Sequence, residues 1–277
     1  MEKILQDELN DLINIAKVKD LSGLDLHEAD LSNIDLSDIN FNSADLTLSN
    51  LNAADLTRAD LGSAKLVMAN LFRANLDWAN LTKANLSYAS LIEANLLRAN
   101  LTGANLSDTN LSEANLSSAN LTKAVLIRSN MSNAYLIGIN LNEADLSEVD
   151  LTSANLSEAI LKGSKLTGAI LKMTDLSHAN LSGVDLSGLE MSDANLTNAN
   201  LTGANLTGTN LSRANFSGAK LNDAILTRAI LINANLDDAD LTDASLWRAK
   251  LSNARFSKGT KWPFGFFPKV AGAILKP

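Results

Sequence analysis

The side chains able to do chemistry are few and awkwardly placed. The chain has no cysteine and only two histidines, His27 and His178. Without thiols there is no disulfide framework, thiolate metal site or cysteine nucleophile, and two histidines 151 positions apart make a poor imidazole centre. Carboxylates are plentiful. Asp25 and Asp45, like Asp35 and Asp55, stand twenty residues apart; such pairs, if stacked, would raise a carboxyl pKa or hold a cation, although solvated turn carboxylates are the simpler reading. The pairs Gly163/Gly168 and Gly203/Gly208 have the gap of a phosphate loop, but Ala169 and Thr209 stand where the lysine of GxxxxGK[ST] is needed. Triplets such as Asn85-Leu86-Ser87 match a glycosylation sequon only because a repeat generates them. No catalytic, cofactor-binding or metal-binding set emerges, and no cofactor is expected.

The elements that position these residues must be built from unusual material. The chain of 277 residues is 46% hydrophobic but only 4% aromatic, with 3 prolines, so leucine and alanine must fill its core. A formal charge of −8 argues against direct nucleic-acid binding. No run of 18 apolar residues marks a membrane span, and acids interrupt the apolar start MEKILQDELNDL, which does not read as a signal peptide. A cytoplasmic protein is expected.

Every fifth position from Leu21 to Phe256 is Leu, Phe or Met, giving 48 units without insertion, 43 of them centred on Leu. Two residues before the centre, 34 of 47 positions are Ala and none is charged; the residue just before it is Asn or Asp in 34 units. On a helix five residues advance by about 140°, which smears the leucines around the cylinder. On a straight strand an odd period sends alternate leucines to opposite faces. The chain must therefore turn once per unit. Four such corners close a square coil of 20 residues, with residue n stacked on n + 20 and about twelve coils in roughly 58 Å. Leu and Ala point inward, the other three residues outward. A larger residue at every Ala would overfill the square. The absence of proline before Pro263 preserves the ladder donors, while Asn, Asp and ten glycines two past the centre supply turn chemistry.

The unit A-(N/D)-L-(S/T)-x resembles that of the pentapeptide-repeat family over residues 21–256. The resemblance implies an all-β fold, a right-handed quadrilateral β-helix. The segment TKWPFGFFPKVAGA is similar to tails of cyanobacterial members, with Phe264 and Phe267 where acids are expected.

Stacked coils leave an open ladder at each end, which invites other chains to add on. Ile4, Leu5, Leu9, Leu12, Ile13 and Ala16 share one face of a helix over 2–19, with acids toward its start. Residues 1–20 are thus expected to be a helical N-terminal cap. Residues 257–277 form an aromatic and helical C-terminal cap, with Val270, Ala271, Ile274 and Leu275 in helical spacing. The same terminal surface suits a homodimer contact, so the expected state is a monomer or a C-terminally mediated homodimer.

Function must lie where the outer pattern is broken. Leu48, Met68 and Tyr88 fall in one column, with Val67 beside them; Phe72 and Ile92 stack on the next face; Arg58, Trp78 and Arg98 stack on the one after, beside Leu97. Trp, Tyr and Arg are favoured binding anchors, and the Arg–Trp–Arg column suits cation–π contact. Val125, Ile127, Tyr135 and Ile137 form a lesser cluster. The expectation is a non-enzymatic scaffold that engages an unidentified protein partner. The alternative is a DNA-mimicking inhibitor or protector of DNA gyrase, a role some family members have. Charge is uneven for that role: −9 over 1–60, +2 over 61–140, −6 over 141–200 and +5 over 201–277.

Overall fold

From Leu21 to Leu251 the carbonyl of every central residue but Leu31 accepts the N–H three positions on, as in Ala44 to Phe41 at 2.9 Å and Ala79 to Leu76 at 3.0 Å. From Gly23 to Asn253 the residue two past the centre always has positive φ, between +52° and +73°, and 37 of these residues are not glycine. A turn whose third residue alone is left-handed is of the type II form. The preceding Asn or Asp completes it. Its side-chain oxygen accepts the N–H two residues on, as in Ser22 to Asp20 at 3.1 Å and Thr102 to Asn100 at 3.2 Å. Of the five N–H groups in such a unit, one closes the turn, one meets this side chain, and three run to neighbouring coils, as Leu86 does to Asn105 at 2.7 Å. In a unit with neighbours on both sides all five N–H groups are thus paired, as in 84–88, which is the condition for packing backbone this densely.

The computed structural model describes residues 6–12 and 18–276. It has two compact units, Met1–Tyr135 and Leu136–Pro277. In the first, parallel bridges join residues twenty apart from Asp20↔Asn40 to Asn115↔Tyr135; in the second they run from Asn140↔Ile160 to Asn235↔Arg255. With four turns in every twenty residues, each unit is a four-sided coil. The last bridge, Asp240↔Lys261, spans one residue more, so the register slips by one after Phe256. The central Leu residues are buried throughout, as are the inward Ala residues other than Ala249, and Phe41 and Phe216 are wholly enclosed. Where Thr replaces the inward Ala, its hydroxyl finds a backbone carbonyl: Thr109 donates to Leu86 at 2.8 Å and Thr209 to Leu186 at 2.8 Å. Such bonds make a buried hydroxyl tolerable.

The helix α1 covers only Gln6–Asn10, continued by one wider turn at 11–12. Of the apolar face read from the sequence, Leu9 is buried and Leu12 half-buried; Ile4, Leu5, Ile13 and Ala16 lie outside the described residues. The chain is already in the ladder at Asp20, so no helix extends to residue 19. Gln6 satisfies Asp30 in both directions, donating to its carbonyl at 2.8 Å and accepting its N–H at 2.9 Å. One carboxamide thus replaces the strand neighbour that Asp30 lacks.

The helix expected in the C-terminal tail does not form. Pro263 and Pro268 remove donors, Gly265 and Gly272 take φ of +76° and +92°, and residues between them form successive turns. The segment is therefore not helical despite its apolar spacing, and Phe264, Phe267 and Val270 face solvent. Strand β1 (Arg255–Phe256) pairs in parallel with β2 (Ile274–Leu275). Trp262 lies edge-on to Phe256 at 5.5 Å and stacks on Phe266 at 5.2 Å. The buried carboxylate of Asp237 fastens this segment, receiving Lys276 at 3.1 Å and Arg255 at 3.3 Å.

Candidate interaction surface

The outward columns arise because the backbone rises one coil per twenty residues. Leu48 N–H donates to Val67, Met68 to Ser87 and Tyr88 to Ser107, each at 2.9–3.0 Å, so Leu48, Met68 and Tyr88 stand above one another in the first unit. They remain 45%, 54% and 56% exposed. Val67 beside them is half-buried, as are Phe72, Ile92 and Leu97 on the neighbouring faces.

Charged neighbours fix the aromatic side chains. The Arg98 guanidinium lies 5.2 Å from the Trp78 ring centre, and that of Arg73 lies 4.7 Å from Phe72 while its Nε donates to Glu93 at 2.8 Å. The column Arg58, Trp78, Arg98 is present, but its stacking is one-sided. Arg58 turns to Asp38 instead, with two parallel bonds of 2.7 Å. A bidentate carboxylate is a stronger partner than a ring face already covered by another cation. The Arg58 guanidinium holds Asp38 below the ordinary carboxylate range. Arg128 does the same for Asp108, with the Tyr88 hydroxyl contributing. Trp78 itself is 57% exposed, so one flank of the cluster is a large aromatic surface open to solvent.

Of the lesser cluster, Val125 and Ile127 are half-buried and Tyr135 is exposed in the first unit, whereas Ile137 belongs to the second. The carboxylates Asp25 and Asp45 do bridge, as do Asp35 and Asp55, but Asp45 takes Lys65 at 3.1 Å and Asp35 accepts the Ser37 N–H at 2.9 Å. Among the described residues, no group of three or more His, Cys, Asp or Glu is placed to hold a metal ion. No helix among them is long and apolar enough to cross a membrane. The sequence reading missed a second cluster in the second unit: Trp247, 56% exposed, with Arg248 at 4.2 Å and Arg228 at 5.7 Å from its ring. Adding twenty to 228 would have found it.

Comparison of the sequence with curated proteins finds no match. Among solved structures, HetL, a pentapeptide repeat protein involved in heterocyst differentiation regulation from the cyanobacterium Nostoc sp. strain PCC 7120, is 32% identical over 92% of this chain and 97% of its own, with a TM-score of 0.44. The pentapeptide repeat protein alr5209 from Nostoc PCC 7120 is 42% identical over 39% of this chain and 84% of its own, with a TM-score of 0.25. QnrB1, a plasmid-mediated fluoroquinolone resistance protein, is 19% identical over 82% of this chain and 89% of its own, with a TM-score of 0.25. The sequence profile described as Pentapeptide repeats matches in eight copies, over residues 25–62 and, without a break, 69–257. The chain therefore belongs to the pentapeptide-repeat family, whose members fold as right-handed β-helices and are generally non-enzymatic scaffolds.

Proposed function

We propose that the first unit is a docking surface for a protein partner, formed by Leu48, Met68, Tyr88 and Val67 on one face, Phe72 and Ile92 on the next, and Trp78, Leu97, Arg98 and Arg58 on the third. The carrying observation is that Leu48, Met68, Trp78 and Tyr88 each keep about half their surface exposed although they are stacked. Side chains serving only to brace neighbouring coils gain by covering one another; these leave Trp, Tyr and Met open, with guanidinium groups at the margin, which is the composition of binding hot spots. Residues 1–20 and 257–277 serve in this reading as covers for the ladder ends, supported by the Gln6 carboxamide on Asp30 and the Lys276 ammonium on Asp237. The setting is cytoplasmic, and the protein is a monomer or a dimer through its C-terminal segment, which light scattering distinguishes.

The test is affinity capture from a cell extract with native protein and with Trp78→Ala/Tyr88→Ala. A partner retained by the native chain and lost by the variant supports the surface; identical partner sets count against it. A second reading, modulation of DNA gyrase by duplex mimicry, is favoured by the −9 charge of residues 1–60 and by Asp20, Asp25, Asp30 and Asp35 at consecutive corners. Supercoiling activity unchanged by micromolar protein removes it.

A further inference from the structure

Five of the eight arginines of the repeat pair with a carboxylate; Arg98, Arg228 and Arg248 have no such pair among the described residues, and only the last two stand in one column. Arg58, Arg73, Arg128 and Arg213 each reach a carboxylate one coil away, at 2.6–2.8 Å. Arg228 and Arg248 share a column, since the Arg228 N–H donates to the carbonyl of Trp247 at 2.9 Å. They set like charges one above the other, which is unfavourable in a ladder. No carboxylate pairs with either among the described residues, and the residue one coil below in their column is Gly208, which has no side chain to offer. Both guanidinium groups lie instead against the exposed ring of Trp247. Lys250, also exposed, follows at the next outward corner, and Ile225, 43% exposed, precedes Arg228.

We propose that this cluster of the second unit, Arg228, Trp247, Arg248 and Lys250 with Ile225, binds a short acidic segment of a protein partner. The guanidinium forks are matched by carboxylates in a planar, two-bond geometry, and Trp247 with Ile225 supplies apolar contact for a neighbouring side chain of the same segment. Charge complementarity selects the occupant: Arg228, Arg248 and Lys250 place three cations on neighbouring outward corners of a chain of net −8, the two arginines with no carboxylate partner among the described residues. A short acidic segment meets the local positive field, whereas a long polyanion such as duplex DNA or an anionic membrane also meets the repulsion of the rest of the chain. The site is separate from the first-unit surface and does not depend on it.

The probe is a fluorescein-labelled twelve-residue peptide alternating Glu and Leu, titrated by anisotropy in low salt against the full chain. Native protein and Trp78→Ala/Tyr88→Ala bind it saturably and alike. Arg228→Glu/Arg248→Glu and Trp247→Ala bind at least about tenfold more weakly, and the Gln-for-Glu peptide does not bind. Unchanged far-ultraviolet circular dichroism and melting show that the variants fold; Arg228→Gln/Arg248→Gln replaces the reversal if it does not. Absence of saturable binding, or equal binding by native and reversed chains, overturns the proposal. So does a 20-base-pair duplex or a phosphatidylglycerol vesicle that binds the native chain as tightly as the peptide. Self-association of the native chain that the reversal abolishes places a second copy at the site and overturns it equally.

Discussion

A left-handed residue costs an L-amino acid roughly 1–2 kcal/mol in contacts between Cβ and carbonyl, yet 37 turn positions carry one. Some recover the cost through ion pairs one coil away, as Arg213 does with Asp193 at 2.6 Å. Ala53, at φ +52°, has no polar side chain with which to do so. Ala53→Gly is therefore expected to stabilise the protein by about 0.5 kcal/mol, the steric relief exceeding the extra unfolded-state entropy of glycine; a lower urea midpoint for the variant would show that these turns carry no steric cost. Asn105 tests the other half of the turn. It accepts the Ser107 N–H at 3.1 Å and its hydroxyl at 2.7 Å, and donates to Asn85 at 3.1 Å. Asn105→Ala is expected to cost about 1–2 kcal/mol in the same measurement, and Asn105→Asp, which keeps the acceptor, less. The Asn and Asp signal was legible as turn chemistry. The left-handed position was not, because only glycine advertises positive φ and ten glycines spread over the repeat conceal the 37 other residues that share it.

The ladder of the second unit is closed unevenly at its C-terminal end, and amide exchange reads the difference. Leu226 and Arg228 donate to Ser245 and Trp247 at 2.8 and 2.9 Å. One coil later the corresponding groups, Leu246 and Arg248, meet no acceptor among the described residues, because the tail rejoins the ladder only at Lys261 and again at Ile274. Hydrogen exchange is expected to be faster at Leu246 and Arg248 than at Leu226 and Arg228, since unbonded amides need no opening event; equal protection would mean that the tail covers this edge. The four-sided coil itself was legible, because an odd period of five is incompatible with a helix stripe and with a straight strand. The tail was misread for a related reason. Val270, Ala271, Ile274 and Leu275 have helical spacing, but Gly272 in a left-handed conformation and Pro268 break the segment before its spacing can matter. Trp247 escaped notice because single exposed aromatics are ordinary; only its two arginines, placed by the twenty-residue stack, distinguish it.

Acidity is the one property of the entire chain that stability measurements can resolve into separate causes. Asp38, Asp108 and Asp193 are held below the ordinary carboxylate range by Arg58, Arg128 and Arg213, and Asp20, Asp30 and Asp35 by the hydroxyl and N–H of Ser22, Ser32 and Ser37. A carboxyl with a depressed folded pKa contributes stability that is fully present above its unfolded value, about 3.9, and is lost as pH falls through the lower folded value. The melting temperature is therefore expected to be level from about pH 8 to 5 and to drop below about pH 4. A second effect has the same sign. Protonating 31 Asp and Glu leaves 23 Lys and Arg unbalanced, so the coils repel one another in acid. Salt separates the two: at pH 3, raising ionic strength to about 1 M shortens the screening length to about 3 Å and restores the part due to repulsion, while a protonated carboxyl still cannot accept two bonds from an arginine. Asp193→Asn/Arg213→Gln should accordingly show a smaller acid-induced drop than the native chain in high salt and little difference in its response to salt. If high salt abolishes the drop in both proteins, the arginine–carboxylate bonds contribute nothing to stability and the columns of paired charge only keep neighbouring coils from repelling.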